Sequence, residues 1–539
     1  MEKKRFNDLI KEKLGSINLI VASNREPVSH EYSGKKIKAV KSVGGLTIAL
    51  EPIMKNLNGT WVVYGSGNAD KTVSDEKGRI TLSEDGEYYT LKRIFLDKNE
   101  LNDYYYGYAN SVLWPLCHIV YVKPVFNSAQ FLTYDEVNKK FADSIIEEIK
   151  ESKRKQESEY LSSVSLINSA MPEEKEKEKE KEKAEDLNIK ENTSETPQPS
   201  FAENVVWLQD YHLAICAKYI KEYDEKIKVS IFWHIPWPNP EIFSICPEKH
   251  ELLEGLLAND LIGFQIIYHC QNFLRTCEWE LEAQVNWSDY SVTYKGHKTW
   301  VKPFPISVDA NYLRHLAMSK ETDKILNKIK KTDEIIGQRY KYLAVSTDRL
   351  DYTKGIVEKL KAIDKMLENH QELIGKFVFV QFAVPSRVHI NAYKKLNEEI
   401  TELITDINWK YGTSEWHPIA GYFKQLELQV YLAYYRLCNI MIVSPLHDGM
   451  NLVSKEYIMS NTDYKGMLVL SKFAGSSKEL YDAFLINPFN TECFGERIYE
   501  ALMMNKEEKI NRINKMQNII IENDIYDWAY NFLTALYFI

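Results

Sequence analysis

Arg349 and Lys354 stand five residues apart in STDRLDYTKGI, where a short apolar run gives way to a helical pattern that Gly355 opens. A guanidinium fork and an ammonium point charge at one strand end suit a diphosphate. Further along, SPLHDGMNLVSKEY sets Asp448 and Glu456 eight apart, with Gly449 between a strand and a helix. A helix beginning near Asn451 would turn the free amides of Leu452 and Val453 toward the same point. A lone Arg/Lys pair is ordinarily a solvated surface pair, but two such turns at equivalent strand ends of one domain favour a ligand. In the first half, SNREP puts Arg25 at a strand end, and Gly44 and Gly45 precede a helix-like run. Two glycines admit close backbone approach, and the positive end of a helix attracts phosphate, although such a pair can equally be a plain turn. Asp210, His212 and His234 are polar groups closing apolar runs in WLQDYHL and IFWHIPWPNPEIF. His234, flanked by Trp233 and by Pro236, Pro238 and Pro240, reads as held in place; His212 reads equally as support for a neighbouring helix. No third residue completes an H-E-x-x-H or similar pattern, so no metal site is expected.

Such groups need strand ends to stand on. INLIVAS (17–23), NVVWLQD (204–210), VSIFWHI (229–235), KYLAVST (341–347), FVFVQFA (377–383) and NIMIVSP (439–445) have the length and branching of buried parallel strands. Helical patterns lie between them, as in residues 136–151, where Val137, Phe141, Ile145 and Ile149 share a face. Strand then helix, repeated along both halves, argues for an α/β chain of two doubly wound Rossmann-like domains facing across a cleft. The boundaries expected are 1–305 and 306–490, followed by C-terminal helices over 491–539. A polar stretch at about 151–203, with the Lys/Glu run MPEEKEKEKEKEKAED inside it, reads as a solvated, mobile insertion.

Composition excludes several classes. Of 539 residues, 68 are Lys or Arg and 77 Asp or Glu, a net charge of −9 that gives no nucleic-acid footprint. At 44% hydrophobic and 12% aromatic the chain can bury large cores. It holds no apolar run long enough for a membrane span and opens on no secretory signal, so a cytoplasmic location is expected. Seven scattered cysteines without a CxxC pair read as reduced packing residues.

Assembled in order, SNREP, GGLTIAL, YYYGYANSVLWP, QDYHL, FWHIPWP, RLDYTKG, VPSR and DGMNLVSKEY resemble the trehalose-6-phosphate synthase family of retaining glycosyltransferases, whose two-Rossmann-domain fold is termed GT-B. The resemblance spans nearly the whole chain outside the Lys/Glu insertion. It implies glucosyl transfer from UDP-glucose to glucose 6-phosphate, with no cofactor, and a separate trehalose-phosphate phosphatase in the pathway; it allows a homo-oligomer. On the donor side it implies Arg349 and Lys354 at the diphosphate, Glu456 at the ribose, Asp448, His234 and Gly45 (beside Gly44) at the sugar, and the backbone of Leu452 and Val453 after Asn451. On the acceptor side it implies Arg25, Tyr105 and Arg387 at the phosphate and Trp114 and Asp210 at the ring. Same-face attack, with the leaving phosphate taking the acceptor proton, would need no enzyme nucleophile.

Four positions depart from the family pattern: Glu26 for Leu or Ile, Tyr64 for an acceptor-side Trp, Gln209 for His and His447 for Arg. Glu26 and Tyr64 are expected to flank the acceptor. The REP variant is also similar to glucosylglycerol-phosphate synthases, which makes glycerol 3-phosphate the alternative acceptor. A sugar-phosphate sensor without turnover is the alternative of another class, and intact Arg349, Lys354 and Asp448 argue against it.

Overall fold

The computed structural model describes residues 3–42, 45–84, 86–170, 202–332, 336–387 and 390–539. Eighteen strands among them form two large sheets and a hairpin. In the first half these are β1 (Ile17–Arg25), β2 (Val28–Ser33), β3 (Lys36–Lys41), β4 (Thr60–Tyr64), β5 (Arg79–Glu84), β6 (Glu87–Ile94), β7 (Glu203–Gln209), β8 (Lys228–Phe232), β9 (Leu261–Phe264), β10 (Gln284–Asn286), β11 (Ser291–Tyr294) and β12 (His297–Pro303). Their sheet runs β10-β11-β12-β9-β8-β7-β1-β4-β6-β5, parallel from β12 to β6 and antiparallel at both edges; β2 and β3 pair separately. The second half supplies β13 (Tyr342–Arg349), β14 (Phe377–Val384), β15 (Ile419–Tyr422), β16 (Ile440–Val443), β17 (Met467–Ser471) and β18 (Phe484–Ile486). This sheet is parallel throughout, in the order β15-β14-β13-β16-β17-β18.

The six apolar runs that read as strands are strands, each fully or largely buried. Helices cover both faces of parallel sheets, so no polar alternation is needed. Where the chain leaves β13 for the helix Ile356–Asn369, Gly355 sits at φ +61° and an added Cβ would lie 2.2 Å from the Ser444 carbonyl oxygen, so only glycine fits.

The helix expected over 136–151 spans Ser128–Ala170. It therefore runs far into the stretch read as an insertion, and β7 already begins at Glu203. The reason is chemical: residues 151–160 are polar, yet Glu, Lys, Arg and Gln are strong helix formers. Glu151 is also anchored to Lys77 at 2.9 Å, and Gln156 accepts the Ala202 amide. The run 171–186 lies outside the described residues.

The last helix, Ile525–Tyr537, packs on the first sheet. Trp528 and Phe532 lie 4.9 and 4.7 Å from the Trp207 ring, and both also meet Phe232. Burying each such aromatic contributes about 2–3 kcal/mol, enough to tie the end of the chain to the half where it began.

Candidate functional site

The carboxyl ends of the central strands of both sheets meet, and the candidate residues stand there. Arg25 ends β1, next to Tyr64 at the end of β4. Asp210 follows β7, His234 follows β8, Arg349 ends β13, and Asp448 follows β16. Register-matched parallel strands put their ends at one level, so residues far apart in sequence converge.

On one side of the junction, Lys354 is ion-paired with Asp448. Burial pushes the Asp448 carboxyl up, but Lys354, His118 and the Asn451 amide together hold it below its usual value. Asn451 caps the helix Leu452–Ser460 from a left-handed conformation (φ 75°); its side chain accepts the Ser454 amide and donates to Asp448 at 3.2 Å. The amides of Leu452 and Val453 are left without helical acceptors at a positive helix end. A second helix, Gly45–Leu57, starts opposite: a Cβ on Gly45 would lie 3.1 Å from the Leu452 side chain. Gly44 lies outside the described residues. Glu456, one turn into the capped helix, has no side-chain partner among the described residues, and burial alone raises its carboxyl to about 7.

His234 is held from two directions. Its amide donates to Asp210 at 3.2 Å, and its Nε2 lies 2.9 Å from Oε1 of the buried Gln209. Burial lowers the imidazole to about 3, so it is neutral at ordinary pH. The halves touch here: a Cβ on Gly449 would lie 2.0 Å from the His234 carbonyl oxygen. His447, beside Asp448, also bridges the halves through Nδ1 and the His118 carbonyl at 2.8 Å.

On the other side three guanidinium groups converge. Arg387 stacks on the buried Trp114 ring at 4.1 Å, and Arg349 lies over the same ring at 5.3 Å. Arg387 also bonds Asp351 at 3.2 Å, Tyr393, and Tyr211 of the first half at 3.4 Å, while its buried Nε has no partner among the described residues. Arg25 donates to the Tyr105 hydroxyl at 2.9 Å. Burial pushes the Tyr105 phenol up, but Arg25, Arg387 and Arg349 together bring it down to about 7. Asp351, though buried, is held down to about 2 by Arg387, Arg349 and Lys354. Burial raises Asp210 to about 7 against the amides of Tyr211 and His234 and the two arginines. His212 stacks on Tyr105 with rings 5.7 Å apart, and its buried Nε2 has no hydrogen-bond partner among the described residues.

Three residues of this junction sit at positive φ: Asp210 (74°), Arg387 (50°) and Asn451 (75°). Such conformations cost about 1–3 kcal/mol in non-glycine residues and persist only where the surroundings impose them. One expectation is corrected. Glu26 does not face the junction: its carboxylate bonds Arg93 at 2.9 Å and both the amide and hydroxyl of Ser66 at 2.8 Å, inside a buried network with Asp70 and His30. Asp351, Tyr211 and Tyr393 escaped the sequence reading. The first two lie inside the quoted RLDYTKG and QDYHL motifs, and nothing in the sequence singles out Tyr393.

The arrangement offers fixed cations and two helix ends to one anion, an arginine cluster to another, and a neutral imidazole with aspartates between them. The family model described as glycosyltransferase family 20 matches residues 17–154 and 165–537. An "alpha,alpha-trehalose-phosphate synthase [UDP-forming]" of Pichia angusta is 32% identical over 532 residues, 96% of this chain and 98% of that protein. A "trehalose-6-phosphate synthase" of Mycobacterium leprae is 31% identical, covering 97% and 95%. A solved UDP-forming synthase of Burkholderia xenovorans, in complex with glucose-6-phosphate, superposes with a TM-score of 0.77 at 26% identity, covering 96% and 99%. A structure described as trehalose-6-phosphate from E. coli bound with UDP-2-fluoro glucose gives 0.76 at 25%, covering 97% and 99%.

Proposed function

Because the chain belongs to glycosyltransferase family 20, we propose that it transfers glucose from UDP-glucose to glucose 6-phosphate with retention, giving α,α-trehalose 6-phosphate and UDP. What supports the reading most is one feature: Arg387, carried by the second half, stacks on Trp114 and bonds Tyr211 of the first half, beside Arg25. An acceptor phosphate bound there would join the two halves over the sugar, and a solved relative is described in complex with glucose-6-phosphate.

In this reading the donor diphosphate lies at Arg349, Lys354 and the amides of Leu452 and Val453. Glu456 takes the ribose hydroxyls, and Asp448, His234 and the backbone at Gly45 face the glucosyl ring. As the bond from C1 to the β-phosphate oxygen breaks, negative charge grows on the diphosphate, where preorganised cations stabilise it without reorganising. The acceptor hydroxyl attacks C1 from the same face, and its proton passes to the departing phosphate oxygen. Arg25, Arg387 and Tyr105 fix the acceptor phosphate, and Asp210, Trp114 and Tyr64 border its ring. That placement turns a two-body encounter into a positioned one.

We assign residues 1–305 to the acceptor side, 306–490 to the nucleotide-sugar side and 491–539 to the returning helices. A separate phosphatase would release the free disaccharide. None of the described helices is long and apolar enough to cross a membrane, and we place the enzyme in the cytoplasm. Turnover of UDP-glucose with glucose 6-phosphate, with no turnover of free glucose, tests the reading: free glucose would leave the buried Nε of Arg387 unpaired in a desolvated site.

A further inference from the structure

Behind the second sheet, away from the junction, a cavity of about 530 Å³ is lined by Lys330, Arg436, Lys465, Lys506 and Lys509 against a single carboxylate, Asp463. That carboxylate is already taken, since Arg436 holds it at 3.1 Å while reaching Asp323 at 2.8 Å. The four ammonium groups are left without an ion pair among the described residues, Asp463 acting on Lys465 only at longer range. Lys330 and Lys506 make no ion pair there, and Lys465 reaches only the Leu437 carbonyl, at 2.7 Å.

Lys509 separates this place from an ordinary lysine-covered surface. It is only 8% exposed, and its Nζ has one long contact, 3.4 Å to the Leu502 carbonyl. Burial holds it below the usual amine value, and no acidic group offsets that. It also sits in the first turn of the helix Lys506–Glu522, the end where the macrodipole disfavours a cation. Asn505 caps that helix by taking the Glu508 amide, which leaves the amides of Lys506 and Glu507 as further donors. A buried ammonium at a positive helix end, beside three more cations, is a cost that an anion would remove. Tyr464, Leu437 and Met504 line the rest, so a ligand with a compact body beyond its charge also fits.

We propose that this cavity is a second anion site, taking a small molecule that carries a phosphate group. It is independent of the junction: Asp463, Tyr464 and Lys465 follow the end of the helix Leu452–Ser460, whose opposite end carries Asn451, and nine helical residues span about 13 Å. The volume is that of a site for a metabolite rather than for a macromolecule.

Lysine acetylation followed by mass spectrometry tests this on the full chain, with inorganic phosphate as the probe and chloride at matched ionic strength as the reference. At about ten times the dissociation constant, phosphate should slow acetylation of Lys465 and Lys506 by about tenfold, and should leave the exposed Lys98 unchanged. Lys509→Met should abolish the protection. Should that variant fail to fold by circular dichroism, Lys465→Ala should abolish protection at Lys506 instead. Equal rates with and without phosphate, equal slowing at Lys98, or protection that survives these substitutions would overturn the proposal. Repeating the comparison with glucose 6-phosphate and UDP reads which phosphate bearer fits best.

Discussion

Arg387→Lys separates the acceptor clamp from the stability of the fold. The parent guanidinium spends Nη1 on Asp351 and Tyr393, holds Tyr211 by a bond of 3.4 Å, and buries Nε without a partner among the described residues. The edge formed by Nε and Nη2 is the one a phosphate would engage in bidentate fashion. Lysine keeps a positive charge for Asp351, so the carboxylate is not stranded; alanine would strand it at a cost of about 3–5 kcal/mol. What lysine cannot supply is the second parallel donor, worth about 1.5–3 kcal/mol as a charge-assisted bond, together with about 0.5–1 kcal/mol of stacking on Trp114. The sum, roughly 2–4 kcal/mol, corresponds to an acceptor KM about 30-fold to 1,000-fold higher. Steady-state kinetics with glucose 6-phosphate varied, and calorimetric titration of UDP-glucose into the same preparations, read the two effects apart. An acceptor KM within about threefold of the parent's in a protein of unchanged Tm, or an equal loss of donor affinity, would refute the clamp.

Lys354→Met removes the cation beside Asp448 and should lower kcat by roughly 2–4 kcal/mol equivalent along with donor affinity, whereas EDTA should leave parent turnover within about twofold, because Arg349 and Lys354 already supply the charge. Glu456 carries a folded-state carboxyl at about 7 against 4.5, so its contribution to stability is whole below pH 4.5 and is lost as pH climbs through 7. Glu456→Gln should therefore gain stability over the parent across that window and no more above it, while binding UDP-glucose more weakly; parallel denaturation curves at pH 4.5, 6 and 8 that show a constant difference would contradict this. Replacing residues 172–199 by a short Gly/Ser linker should leave turnover within a few fold, since loop entropy changes slowly with length; a folded but inactive product would give that segment a role.

The parallel strands were legible because a strand buried on both faces must be apolar along its whole length, and INLIVAS or FVFVQFA can be little else. The helix past Ile149 was not legible: its polar residues favour helix as strongly as they favour solvent, and what holds the extension is contact with Lys77 and Ala202, distant in sequence. The edge strands β5, β10 and β11 are short or exposed and carry no apolar run. At the junction, motif residues at strand ends identified themselves by being polar where a core would be apolar. Glu26 misled because a strand-end carboxylate looks the same in sequence whether a ligand or Arg93 receives it, and only the fold brings Arg93 to it. Tyr393 was invisible for the same reason, since only the fold brings it to Arg387 and Asp351.

The most direct measurement is identification of the product when UDP-glucose is offered together with equal glucose 6-phosphate and glycerol 3-phosphate. Proton and phosphorus NMR of the mixture should show α,α-trehalose 6-phosphate with both anomeric protons in the α configuration, formed one for one with UDP. Glucosylglycerol phosphate as the main product, inversion at the transferred carbon, or release of UDP with free glucose alone would contradict the account.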